Sequence, residues 1–207
     1  MYVKSNQNIV LKEGQKLDQN FWDQRWENEQ TGWDIGYSSP PIEDYMLQYA
    51  DKDAAILIPG CGNAHEAEYL IQLGFKNITV LDISEYATEI LRKKFEDKPS
   101  IKVVTGDFFD HASQYDLILE QTFFCAIDPT LRQAYAAKMN ELLNEDGKLV
   151  GLLFNRDFIG GPPFGGHQPE YEQVFMPYFE IQKMENAYNS IKARQNTELF
   201  VILKKKK

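Results

Sequence analysis

The residues with chemical potential in this chain stand where short apolar runs end. Gly60 and Gly62 follow the run Ala54-Ala55-Ile56-Leu57-Ile58, and Asp82 closes the run Asn77-Ile78-Thr79-Val80-Leu81, twenty residues after Gly62. Each run reads as a buried strand. The two glycines read as a tight turn at which a ligand can approach the backbone. A carboxylate at the end of the following strand can accept from the hydroxyls of a ribose.

The turn also indicates which nucleoside it suits. A dinucleotide fingerprint needs a third glycine three residues after the second, but His65 stands there, and no lysine follows as in a phosphate loop. The turn therefore suits a nucleoside without phosphates, and S-adenosylmethionine is the commonest such cofactor on a strand-turn-helix-strand unit. An ordinary strand-to-helix turn in an α/β protein is the plain alternative that these residues leave open.

Further candidates lie at corresponding places along the chain. Trp22, Trp26 and Trp33 fall within twelve residues, before the first core strand. Trp22 and Trp26 are four apart and so share one face of a short helix. They either cap the core or cover a bound cation, such as a sulfonium, with a contribution on the order of 0.5–2 kcal/mol. Asp107 and Phe108, just past a third strand, suit an adenine, the carboxylate accepting from its exocyclic amine; a simple turn followed by a core aromatic fits equally. Glu120, Gln121 and Asn155 end the fourth and fifth strands and point to the crevice beyond their carboxyl ends. Gly160-Gly161-Pro162-Pro163-Phe164-Gly165-Gly166 is a constrained loop able to lid that crevice. His65, His111 and His167 show no metal-ligand spacing, so no metal is expected; His167 adjoins the lid and is a substrate-orienting candidate. Cys61 and Cys125 read as small buried side chains.

The elements that must position these residues follow from periodicity and caps. The spacing predicts a helix over 42–49 after Pro40-Pro41. A second helix, ended by Gly74, is expected from an Asn63 cap with Glu66 reaching back. Ser84 should cap a third, over 84–97, with Ala87, Ile90, Leu91 and Phe95 inward. Strands are expected at 101–104 and 115–120. Asp128-Pro129 should open a helix with Leu131, Tyr135, Met139 and Leu142 buried, and Gly147 should break the chain before a strand over 148–154. A short helix over 173–179 and a final strand pair, 179–188 with 198–203, complete the expectation. Residues 1–17 carry no periodic signal and read as a loosely attached arm.

Composition narrows the function classes. The 207 residues suit one domain with a sizeable core, and 43% hydrophobic with 26% charged residues is ordinary globular usage. A net charge of −9 disfavours both nucleic acid and anionic membrane as partners. The terminal Lys204–Lys207 run reads as a solvated tail. No apolar run approaches membrane-spanning length, the first residues lack a signal-peptide core, and two cysteines make no disulfide framework. The expectation is a cytoplasmic monomer acting on a small-molecule acceptor.

Taken together, the tryptophan arm, Ile58-Pro59-Gly60-Cys61-Gly62, Leu81-Asp82-Ile83-Ser84, Phe123-Phe124-Cys125-Ala126-Ile127 and Gly161-Pro162-Pro163-Phe164 resemble the thiopurine S-methyltransferase family, closest to its thiol and halide methyltransferase branch. The resemblance implies a class I methyltransferase fold: an α/β three-layer sandwich with a mostly parallel seven-stranded sheet and a C-terminal antiparallel hairpin. It implies one domain over 1–207, with residues 1–50 as an arm over the cofactor site and 51–207 as a Rossmann-like core. It also implies S-adenosylmethionine as donor and S-adenosylhomocysteine as product. Carried over by position, Trp22, Trp26, Trp33, Gly60, Gly62, Asp82, Ile83, Asp107, Phe108 and Glu120 are cofactor contacts. Phe164 matches a substrate-facing aromatic, with Asn155 and His167 as further substrate-facing candidates and no certain catalytic residue. The reaction implied is methyl transfer to a small soft nucleophile: a thiol, hydrosulfide, thiopurine-like compound or halide. Methylation of another small molecule and a nucleoside-binding module without turnover are the competing readings.

Overall fold

The structure, a computed structural model, describes Ile9, Leu11 and residues 14–206. The expected loose arm over 1–17 therefore falls largely outside the described residues, as does Lys207 of the terminal lysine run. In chain order the elements are α1 (Gln19–Glu27), α2 (Pro40–Leu47), β1 (Ile56–Pro59), α3 (His65–Gln72), β2 (Ile78–Asp82) and α4 (Glu85–Lys94). Then follow β3 (Ile101–Thr105), β4 (Tyr115–Gln121), α5 (Arg132–Leu142), β5 (Leu143–Phe154), α6 (Gln168–Phe175), β6 (Phe179–Asn186) and β7 (Glu198–Lys205), with single 3-10 turns at Phe108–Asp110 and Pro129–Leu131.

Among the described residues the strands form one seven-stranded sheet in the order β3-β2-β1-β4-β5-β7-β6. The first five pair in parallel, and β7 runs antiparallel between β5 and β6. This is the mostly parallel seven-stranded sheet with a C-terminal antiparallel hairpin that the family resemblance implies. Ligand-bearing loops then gather where the strand order reverses, at the carboxyl ends of β1 and β4.

Strand alternation divides the core in two. Ile56, Ile58, Ile78, Val80, Leu117 and Leu119 face α2, α3 and α4. Leu57, Leu81, Ile118, Leu149 and Leu153 face α5 and α6. Successive side chains leave a strand on opposite faces, so parity decides which helices each one meets.

Several boundaries differ from the sequence expectation. Pro40 and Pro41 form the first turn of α2, where a missing N–H costs nothing, so the helix begins two residues early. The α3 cap is not Asn63 but Ala64, held in the left-handed region at φ 52° with no side-chain cap bond. The Glu66 carboxylate accepts from Ser39 N at 3.1 Å and so joins α3 to the start of α2 instead of reaching back. Ser84 does cap α4, accepting from Ala87 N at 3.1 Å, but Thr88 turns inward while Ile90 is 42% exposed. Thr88 is accommodated because its hydroxyl bonds the Ser84 carbonyl at 3.1 Å. Leu131 is also exposed, because a 3-10 turn at 129–131 precedes α5 and rotates it off the buried stripe. Gly147 does not break the chain: β5 starts at Leu143 and pairs with Tyr115 across a register shift. The helix expected at 173–179 lies at 168–175, with Pro169 in its first turn.

Candidate functional site

A cleft of about 1500 Å³ opens at the carboxyl ends of β1, β2 and β4. Its floor is the glycine turn. Gly60 has φ 57°, and a Cβ there would lie 2.3 Å from the Phe123 ring, so only glycine lets the turn after β4 pack this closely. Gly62 has φ 51° and presents its backbone to the Trp26 indole, 3.6 Å from where a Cβ would stand.

Asp82 ends β2 on the cleft wall. Its Oδ2 accepts from Gly62 N and its Oδ1 from Ser84 N, both at 3.0 Å. Burial pushes its pKa up, against these backbone bonds. The Ile83 N–H also favours the charged form, and the two oxygens stand side by side on the cleft wall. Two fixed acceptors side by side are the donor-set complement of a ribose diol, so the site fits a nucleoside. Ile83 and Phe108 also line the cleft, with Asp107, whose Oδ1 accepts from Phe109 N at 2.8 Å and caps the turn after β3.

The three tryptophans share this cleft. Trp33 stands edge-to-face with Trp22 at 5.6 Å and with Trp26 at 6.0 Å. Two anchors hold the segment bearing them. On α1, Asp23 Oδ1 accepts from Ser84 Oγ at 2.6 Å and from Tyr86 N at 3.2 Å, which docks α1 on the start of α4. After Trp33, Asp34 accepts from Asn63 Nδ2 at 2.5 Å and pairs with His65 Nε2 at 2.8 Å. The His65 hydrogen bond chiefly holds the Asp34 carboxyl down at about 2, and the same contact raises His65 above its ordinary value. Arg194, from the β6–β7 connection, closes the cluster by donating Nη2–H to the Trp33 carbonyl at 2.9 Å. The contacts of Asp34, His65 and Arg194 left no mark in the sequence because the partners lie 31 and 161 residues apart.

Glu120 does not face the cleft. Its carboxylate is fully buried, with Oε1 accepting from Phe123 N at 2.8 Å and Phe124 N at 2.9 Å, and Oε2 accepting from the Tyr135 hydroxyl. Burial lifts its pKa to about 7 despite these donors. It shapes the turn in which Thr122, at φ 60°, reaches the cleft. The three substrate-facing candidates also lie off the cleft wall. Asn155 Oδ1 accepts from Gln168 N at 3.3 Å at the start of α6, His167 pairs with Asp157 at 3.2 Å, and Phe164 packs against Gly161 with its N–H on the Cys125 carbonyl. Phe154, Arg156, Phe158, Pro162 and Pro163 line that end of the cleft instead. Cys125 is buried as expected and lines the cleft; its thiol donates to the Thr122 carbonyl at 3.2 Å, and burial pushes it up to about 12. Among the described residues no cluster of three metal-ligating side chains occurs.

With this geometry in place, likeness to known proteins becomes informative. The family model described as thiopurine S-methyltransferase matches residues 17–205. A probable thiol methyltransferase 2 of Arabidopsis thaliana is 35% identical over 162 residues, covering 75% of this chain and 71% of that protein. Thiocyanate methyltransferase 1 of the same plant is 31% identical over 88% of this chain and 83% of its own. Among solved structures, the 1,6-didemethyltoxoflavin-N1-methyltransferase of Burkholderia thailandensis superposes with a TM-score of 0.73 at 15% identity, over 91% of this chain and 87% of that one. The last likeness speaks for the fold alone, which is that of class I methyltransferases.

Proposed function

This chain belongs to the thiopurine S-methyltransferase family, and from that premise we propose that it transfers a methyl group from S-adenosylmethionine to a small sulfur nucleophile. One observation carries the reading: a ribose-type carboxylate, a glycine turn and three indoles converge on one cleft. When bound, the donor supplies a methyl carbon activated by a sulfonium, which a thiolate attacks as the old carbon–sulfur bond breaks and its electron pair stays with the departing sulfur.

The chain itself supplies position and dryness. Asp82 accepts from the ribose hydroxyls, and Asp107 with Phe108 takes the adenine. Trp22, Trp26 and Trp33 enclose the positive sulfur with negative ring faces and keep water from it. Aligning the reactants can remove about 7–11 kcal/mol of barrier in favourable cases. A thiol near a pKa of about 8.5 is already a few per cent ionised at neutral pH, so the acceptor gives its proton to water before attack and no side chain need act as base. Cys125, protonated and bonded to Thr122, does not compete as an acceptor.

Among the described residues no helix is long and apolar enough to cross a membrane. The proposal places the enzyme in the cytoplasm as a monomer; the free, buried Cys61 and Cys125 support a reducing compartment. The deciding experiment incubates the protein with S-adenosylmethionine and a panel of thiols, hydrosulfide, thiocyanate and halides, and reads methylated products by mass spectrometry. Methyl thioethers are expected. Tight binding of S-adenosylhomocysteine with no methylated product from any acceptor would overturn the reading.

A further inference from the structure

We propose that Arg156 anchors an anionic group on the methyl acceptor, so that the preferred acceptors carry a carboxylate besides the thiol. The proposal rests on the sulfur-acceptor reading above and adds the substrate class.

The proposal seats the acceptor at the end of the cleft lined by Phe154, Arg156, Phe158 and Arg194, an aromatic shelf under two guanidinium groups. Phe154 and Phe158 meet edge-to-face at 4.9 Å; Arg194 lies 5.4 Å from the Phe154 centroid and Arg156 lies 4.8 Å from that of Phe158. Only one of the two cations is committed. Arg194 donates to the Trp33 carbonyl at 2.9 Å and to Glu198 Oε1 at 3.3 Å. Arg156 donates Nε–H to the neighbouring Asp157 carbonyl at a long 3.4 Å, and among the described residues no carboxylate pairs with it.

Its backbone, by contrast, is fixed. The Arg156 carbonyl accepts from Gly166 N at 3.0 Å in an antiparallel bridge. A Cβ on Gly165 would stand 2.2 Å from that carbonyl, so the lid loop clasps residue 156 only because glycine is there. A guanidinium on a fixed backbone, stacked on an aromatic ring, offers a carboxylate two parallel N–H donors with part of its freedom already lost.

The charge distribution points the same way. The acids lining the cleft, Asp18, Glu29, Asp34, Asp82, Asp107 and Asp128, come from the arm, from the last residue of β2 or from the segments after β3 and β4. The lining residues between 154 and 197 include no acid. In a chain of net charge −9 the long-range field repels anions, so an anionic acceptor needs a local cation. The cleft, at about 1500 Å³, also exceeds the roughly 300–1,000 Å³ of an ordinary single-ligand pocket and leaves room for an acceptor larger than a lone ion.

The test compares two thiols that differ in one group, para-mercaptobenzoate and thiophenol, with wild type, Arg156→Gln and Arg156→Lys. The ratio of kcat/KM for the carboxylated over the plain thiol should fall at least about tenfold in Arg156→Gln, chiefly through KM, and recover in part in Arg156→Lys. Tryptophan fluorescence gives a readout without turnover. In the presence of S-adenosylhomocysteine, para-(methylthio)benzoate should bind wild type more tightly than thioanisole does, and Arg156→Gln should erase the difference. An unchanged ratio and equal binding of the two thioethers would overturn the anchor while leaving the sulfur-acceptor reading standing. Failure to methylate either thiol would overturn the anchor, and failure extending to hydrosulfide and thiocyanate would overturn the sulfur-acceptor reading as well.

Discussion

Asp34 of the leading arm and His65 of α3 are joined at 2.8 Å across 31 residues of sequence. This contact fastens the segment bearing Trp33 to the helix that follows the glycine turn, so the roof of the cleft and its floor are coupled through one titratable pair.

The coupling makes nucleoside affinity depend on pH. The Asp34 contribution is present above the ordinary 3.8 and is lost as pH falls through about 2. The His65 contribution is complete below 6.5 and fades as pH rises through its raised value. Glu68 at 3.8 Å and Lys94, itself paired with Glu68, share the network. Both members of the pair keep part of their surface in solvent, 22% of each side chain, so the effect is limited to about 1 kcal/mol or less. The dissociation constant of S-adenosylhomocysteine should rise a few-fold between about pH 6 and about pH 9. His65→Gln, which keeps a donor without titrating, should flatten that profile when affinity is measured by calorimetry.

Asp82→Asn replaces an acceptor by an amide that must turn N–H toward either Gly62 N or Ser84 N. Loss of a charged hydrogen-bond partner costs about 1.5–3 kcal/mol, so S-adenosylhomocysteine affinity should fall roughly 10- to 100-fold. Unchanged affinity would remove Asp82 from the site.

Gly60→Ala drives a methyl group into the Phe123 ring, 2.3 Å away, at a φ of 57°. Strain of this kind costs on the order of 1–3 kcal/mol, and the melting temperature should drop accordingly. Adding Phe123→Ala should not restore full stability, because the positive φ remains and a cavity is created. Gly62→Ala, with no atom nearer than 3.6 Å, should cost about 1–2 kcal/mol from φ alone.

Glu120 makes stability fall toward alkaline pH. Its carboxyl has an ordinary value of 4.5 and is lifted to about 7 by burial. The neutral form is therefore favoured on folding: its contribution is complete below 4.5 and is lost as pH rises through about 7. Thermal melts should decline between about pH 5 and about pH 8. Glu120→Gln, which can still accept from Phe123 N and Phe124 N, should be nearly flat across that range.

Much of this was legible in the chain. The buried runs, the glycine turn, the Ser84 cap and the acid at the end of β2 are local signals, written within a few residues of where they act. They indicated an α/β strand-turn-helix-strand unit; the family resemblance supplied the fold class and named Trp22, Trp26, Trp33, Gly60, Gly62, Asp82, Ile83, Asp107 and Phe108 as cofactor contacts, and the structure lines one cleft with them. Asp82 and Glu120 look alike in sequence, each a carboxylate closing an apolar strand. Only the tertiary structure separated them. Strand parity turns Glu120 to the side of Ile118 and beneath Tyr135 of α5, whereas Asp82 meets two backbone N–H groups at the carboxyl end of β2, on the cleft wall. The same holds for Arg156 and Arg194, alike in composition but divided by whether a carbonyl from residue 33 folds back to meet the guanidinium. Alternation within a uniformly buried run leaves no mark on residue type, and neither does a partner more than a hundred residues away, so the direction of these side chains was decided by packing alone.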